Sequence, residues 1–169
     1  MASSPSANRG AGLESLLEYR HHLYRAAGVA DIRKLPTDWH VVAKAGQGRA
    51  WLAFPARKSS VDYLGFLMDG TGRHVAVEAK ETRERRWPLA HLPGHQRAYL
   101  AAVCRAGGIA GVVIWWTALS ELWAVPWSGV ERLIRSGKAS LAHEPGSPWR
   151  VGLDADYLPV LLAGGGGAR

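Results

Sequence analysis

The sequence predicts an α/β fold with a mixed central β-sheet flanked by helices. Two observations carry that prediction. Stretches of helical periodicity alternate with strand-like runs in the order helix, strands, helix, strands. One run, Ile109 to Trp116, is almost continuously apolar, as in a strand buried on both faces at the middle of a sheet. The 169 residues show no linker and no internal repeat, so a single domain over residues 1–169 is expected.

Taken in order, residues 1–7 are polar and read as a disordered lead-in. Leu13, Leu16, Leu17, Leu23 and Tyr24 recur at helical spacing up to Gly28, a C-terminal stop. Val29 to Arg33 is a short strand, closed by Lys34-Leu35-Pro36-Thr37. Trp39 to Lys44 and Arg49 to Phe54 flank Gly46-Gln47-Gly48 and form an exposed hairpin. Val61 to Phe66 and Val75 to Lys80 form a second hairpin through Asp69-Gly70-Thr71-Gly72. The charged loop Glu81 to Arg86 then leads to a helix from about His91 to Arg105, with Pro93 in its first turn and Gly107-Gly108 at its end. Ile109 to Trp116 pairs with Glu121 to Val125, and Trp115, Trp116 and Trp123 are spaced as core residues. Helices over Val130 to Ile134 and about Asp154 to Leu162 follow, and residues 163–169 form a glycine-rich flexible tail.

Composition narrows the function classes. A net charge of +7 points to a polyanionic partner, nucleic acid before an acidic membrane. Cys104 is the single cysteine, which excludes an internal disulfide and a cysteine zinc cluster. No apolar run reaches the length of a membrane span and the first ten residues have no secretory apolar segment, so a cytoplasmic protein is expected.

The chemistry centres on the second hairpin. In an extended strand Glu78 and Lys80 share one face, while Val75, Val77 and Ala79 share the other. If the hairpin pairs in register, Asp62 comes up beside Glu78. A bare Glu-x-Lys reads most simply as a solvated salt bridge. Two acids and an amine on an otherwise apolar strand cost desolvation and call for a purpose. Two carboxylates plus waters suit Mg²⁺ or Mn²⁺, and Lys80 beside them would stabilise charge developing on a phosphate. Such a site can cleave a phosphodiester.

Asn8-Arg9-Gly10 with Leu13-Glu14, Lys34-Leu35-Pro36-Thr37, Val61-Asp62-Tyr63-Leu64-Gly65, Glu78-Ala79-Lys80-Glu81-Thr82, Pro88-Leu89, His95-Gln96 and Gly108-Ile109 form an ordered series. The series resembles the RecU-type Holliday-junction resolvases. The resemblance spans Asn8 to about Val125. It implies a restriction-endonuclease-like core with a protruding β-hairpin stalk, matched by residues 38–58. It also implies a homodimer, a divalent metal, no small-molecule cofactor, and paired symmetric nicks across four-way DNA junctions in recombination and repair. Carried over, Asp62 and Glu78 are metal ligands, Lys80 is the catalytic lysine, and Glu14 is a supporting carboxylate of the metal site. Gln96 is a polar residue brought to the site by its helix. The chain departs from the family pattern at Ser60, where the family usually has threonine, and in a short stalk segment in which Arg49 and Arg57 are both candidates for the stalk arginine.

Among the basic residues, Lys44, Arg49, Arg57, Lys58, Arg83, Arg85 and Arg86 are the candidates for DNA phosphates, the last three ranking highest because they follow the catalytic strand. Two alternatives stay open: a nuclease acting on other branched or duplex DNA, and a DNA-binding module without catalysis.

Overall fold

The structure, a computed structural model, describes residues 11–36, 39–45, 50–55, 60–152 and 154–164, with the backbone alone over 39–45 and 50–55. Residues 1–7, Arg49, Arg57 and Lys58 lie outside the described residues, as do the side chain of Lys44 and the end of the tail.

The central element is a six-stranded sheet. Its strands are β1 (Ala30–Lys34), β4 (Tyr63–Leu67), β5 (His74–Thr82), β7 (Ile109–Trp116), β8 (Glu121–Pro126) and β10 (Arg150–Val151), in that spatial order. β5 and β7 run parallel and every other neighbouring pair is antiparallel, so the sheet is mixed. The parallel pair is joined through α2 (Gly94–Arg105), the crossover that parallel strands require. β2 (Trp39–Ala45) and β3 (Ala50–Pro55) form a separate antiparallel pair, and β6 (Arg86–Pro88) pairs with β9 (Ser140–Ala142).

Each face of the sheet has its own core. On one, α1 (Ala11–Ala26) and α4 (Leu158–Gly164) bring Leu13, Leu17, Leu158 and Leu161 against Tyr63, Val75, Val77 and Val113. On the other, α2 and α3 (Trp127–Arg135) bring Leu100, Val103, Trp127 and Val130 against Ala76, Val112, Ile114 and Trp123. β7 feeds both cores, which is why its sequence is apolar without alternation. Trp116 and Trp123 are buried as expected and meet edge to face at 5.2 Å, while Trp115 is half-buried. Cys104 is half-buried at the edge of the α2 core.

Several element limits differ from expectation. The helix expected from His91 starts at Gly94: Leu89–His91 is a 3-10 turn, and Pro93 is the extended residue before the helix. The reason is Pro93 itself, which disfavours helical backbone at the residue before it. α3 starts at Trp127, not Val130, again directly after a proline, Pro126. The last helix spans Leu158–Gly164; Asp154 to Tyr157 are irregular, with Ala155 at φ 57, so Ala163 and Gly164 belong to the helix and not to the tail. The pair β6–β9 was not expected at all. Strands of three residues are too short to show a period of two.

Candidate active site

Glu78 and Lys80 are fixed by the alternation of β5. Val75 and Val77 enter the core beneath α1, Ala76 enters the opposite core, and Glu78 follows Ala76 onto the α2 side. β4 and β5 pair Tyr63 with Val77, and the next step of that register sets Asp62 opposite Glu78. The β4 ladder stops there. Instead of a strand carbonyl, the Asp62 carboxylate accepts the Ala79 N–H at 2.9 Å. That bond ties Asp62 to the strand that carries Glu78 and Lys80, and it satisfies a donor that the ladder would otherwise leave open.

Glu78 is 1% exposed. Its Oε1 accepts from Lys80 Nζ at 2.5 Å and from Gln96 Nε2 at 2.6 Å. Its Oε2 is buried and, among the described residues, has no hydrogen-bond partner, and neither has Oε1 of Gln96. Burial pushes the Glu78 carboxyl up to about 7, the Asp62 carboxylate adds to the rise, and the bonds from Lys80 and Gln96 oppose it. Leaving a buried acceptor unmatched costs about 1–3 kcal/mol, more when it is charged. A cation between Glu78 and Asp62 would remove that cost. The donor set, two carboxylates with an amine beside them, fits a hard divalent ion.

Gln96 reaches the site from the first turn of α2, where it shares the buried face with Leu100 and Val103. A glutamine at a core-facing helical position is itself a signal, although only the resemblance singled it out. Glu14 is placed differently. It stands on α1, which packs on the other face of the sheet, and its Oε2 accepts from Lys34 Nζ at 2.6 Å. Among the described residues no group of three or more His, Cys, Asp or Glu side chains is placed to hold a metal ion. The structure thus brings Asp62, Glu78, Lys80 and Gln96 together and leaves Glu14 in an ion pair of its own.

Arg83, Arg85 and Arg86 are exposed beyond the end of β5. Other cations have structural work: Arg97 donates to the carbonyls of Leu92 and Leu89, tying the 3-10 turn to α2, and Arg20 and Arg25 pair with Asp154 and Asp31. Sequence reasoning also missed a buried polar cluster below the site. His21 Nε2 and Tyr157 Oη lie 2.7 Å apart, the Tyr24 hydroxyl donates to Asp156 at 2.7 Å, and the His21 ring meets Tyr63, next to Asp62, edge to face at 4.9 Å. Its signal was present: His21 follows Leu13 and Leu17 at intervals of four on the buried stripe of α1.

The family described as Recombination protein U (RecU) matches residues 8–144 of this chain. A "Holliday junction resolvase RecU" from Oenococcus oeni (strain ATCC BAA-331 / PSU-1) is 30% identical over 168 residues, covering 90% of this chain and 84% of the relative. One of the same description from Streptococcus equi subsp. zooepidemicus (strain MGCS10565) is 30% identical over 125 residues, covering 71% of this chain. The chain spans about 60% of the length of that relative and of its streptococcal counterparts. Among solved structures, Archaeoglobus fulgidus Hjc, described as a Holliday junction resolvase from an archaeal hyperthermophile, aligns at 18% identity with a TM-score of 0.39, covering 75% of this chain and 87% of that one. On the family match and the extent of these identities, the chain belongs to the RecU family.

Proposed function

We propose that this chain is a metal-dependent endodeoxyribonuclease that resolves four-way DNA junctions by paired symmetric nicks. The observation that carries this reading is the buried Glu78 carboxylate, with one oxygen held by Lys80 and Gln96, the other unmatched, and Asp62 fixed beside it. Family membership supplies the substrate class, since the relatives bear the name Holliday junction resolvase.

Asp62 and Glu78 would hold Mg²⁺ or Mn²⁺, whose contribution when bound is Lewis acidity toward a phosphodiester. The chain's own residues do the rest. The Ala79 N–H holds the Asp62 carboxylate in place, and Gln96 fixes the rotamer of Glu78. Lys80, 22% exposed at its side chain, keeps a positive charge at the rim of the site, where negative charge on an attacked phosphate develops. Arg83, Arg85 and Arg86, together with Lys44, Arg49, Arg57 and Lys58, supply phosphate contacts that set register without reading bases. The fold is read as a restriction-endonuclease-like core, with the β2–β3 pair as a stalk. A homodimer places two such sites about a two-fold axis, suited to two strands of a pseudo-symmetric junction. A bacterial cell or a phage-infected host is the setting this implies.

The test is cleavage of a synthetic four-way junction beside linear duplex of the same sequence, with Mg²⁺, with Mn²⁺ and with chelator. Metal-dependent nicking of the junction in preference to the duplex, lost by at least about 100-fold in Asp62→Asn, is expected, because removal of a group acting on the developing charge costs about that much. Equal cutting of both substrates would leave a nuclease but remove the resolvase. Junction binding without cutting under any divalent metal would favour the binding module.

A further inference from the structure

A cavity of about 500 Å³ opens between the β6–β9 pair and α3. Three cations from separate segments line it: Arg86 at the start of β6, Arg132 in the last turn of α3, and Lys138 just beyond that helix. All three are exposed, and among the described residues none of them forms an ion pair. Among the described residues, the Arg86 side chain donates to the Ser140 hydroxyl alone, at 3.0 Å. Arg135, on the same helix, is by contrast neutralised by Glu131 at 2.7 Å. Glu144 is the single acid on the cavity wall, so the lining keeps an excess of positive charge.

The wall also carries an indole. Trp149 is half-buried, with its six-membered ring resting on Gly129, where an added Cβ would stand 2.8 Å from Cζ2. Its backbone carbonyl accepts from the Ala124 N–H at 2.8 Å, so both ring and backbone are held. A fixed aromatic beside several unpaired cations is the composition of a surface for single-stranded nucleic acid: phosphates meet the cations and a base meets the ring. Position agrees. β6 begins just after β5 ends, so Arg86 on the cavity wall follows closely in sequence on the strand that carries Glu78 and Lys80.

We propose that the β6–α3 cavity is a second DNA subsite, which takes an unpaired single strand with its phosphates on Arg86, Arg132 and Lys138 and a base against Trp149. The inference rests on the DNA-cleaving reading above and deepens it: the strand bound here is one led away from the cleavage centre. Arg132 and Lys138 are not among the residues singled out from the sequence, and neither touches Asp62, Glu78 or Lys80.

The test uses the full chain and a fluorescently labelled oligothymidylate, followed by anisotropy across a range of salt concentrations. Arg132→Ala/Lys138→Ala should bind about tenfold more weakly at low salt, and its log–log salt slope should be shallower by about 1.4, at about 0.7 per lost single-strand phosphate contact. Its melting temperature should match wild type, because both side chains are exposed. Trp149→Phe should keep most of the affinity and Trp149→Leu should lose about tenfold, the loss of one stacked base. An Arg132→Gln/Lys138→Gln variant repeats the measurement should the alanine pair melt early. Wild-type affinity and slope in a folded double variant would overturn the subsite. If wild type binds neither oligothymidylate nor a four-way junction, the DNA reading itself fails. If it cuts junctions while the double variant still binds single strands normally, only the subsite fails.

Discussion

Glu78 combines deep burial, two hydrogen bonds on one oxygen and none on the other, and its raised pKa makes this a stability statement. A carboxyl lifted from 4.5 to about 7 lets the folded protein hold a proton that the unfolded chain has released. Without metal, the contribution of Glu78 to stability therefore falls as pH rises from about 4.5 to about 7, by about 3 kcal/mol at 1.36 kcal/mol per pKa unit. Glu78→Gln, read by urea unfolding in chelator, should be more stable than wild type by about 1–3 kcal/mol at pH 8, and the gain should vanish towards pH 4.5. A destabilised Glu78→Gln at pH 8 would mean that the carboxylate is adequately matched by its neighbours. His21 works in the opposite sense. Burial, helped by Arg25, lowers its pKa from 6.5 to about 4, so its contribution is present above about 6.5 and is lost as pH falls towards 4. In the Glu78→Gln background that loss is no longer offset by Glu78 and should again amount to about 3 kcal/mol; a flat profile between those limits would contradict the buried, neutral imidazole. At this scale Asp62, Glu78 and Lys80 were legible, because a period of two fixes which side chains share a face. The pairing of Glu14 with Lys34 was not legible, since a helix can lie on either face of a sheet and the sequence does not say which strand it meets.

At the scale of elements, the β1–β4–β5 ladder is what delivers Asp62 to Glu78. Its tightest point is Gly65, where an added Cβ would stand 2.1 Å from the Asp31 carbonyl oxygen and 2.6 Å from the Ile32 Cα, both backbone atoms that cannot step aside. Gly65→Ala should cost about 3 kcal/mol or more and should weaken any metal binding along with the fold. A variant of wild-type stability would show that β1 is not packed against β4 as closely as described. The long elements were legible: α1 and β5 have enough residues to display their period, β7 shows an unbroken apolar run, and prolines at 93 and 126 set the starts of α2 and α3 once their effect on the preceding residue is counted. The β6–β9 pair was not legible, because three-residue strands are specified by distant partners. Trp87 is buried with Leu141 in the α2-side core while Arg86 remains outside. The cavity that these strands form with α3 was hidden for the same reason.

At the scale of the whole molecule, an excess of seven positive charges and a carboxylate pair on the α2 side of the sheet belong to one account. In the proposed reading the positive field would gather a polyanion, and the acids would hold the ion that lets a backbone of like charge approach them. The claim on which this depends is that Asp62 and Glu78 bind one divalent cation between them. Calorimetric titration of Mn²⁺ into the DNA-free protein at pH 8 tests it without reference to any substrate. Wild type should show a saturable site that weakens at least about 100-fold in Asp62→Asn and in Glu78→Gln, in line with the 10–100-fold that even supporting partners of a metal site contribute. Unchanged Mn²⁺ affinity in both folded variants would contradict the account.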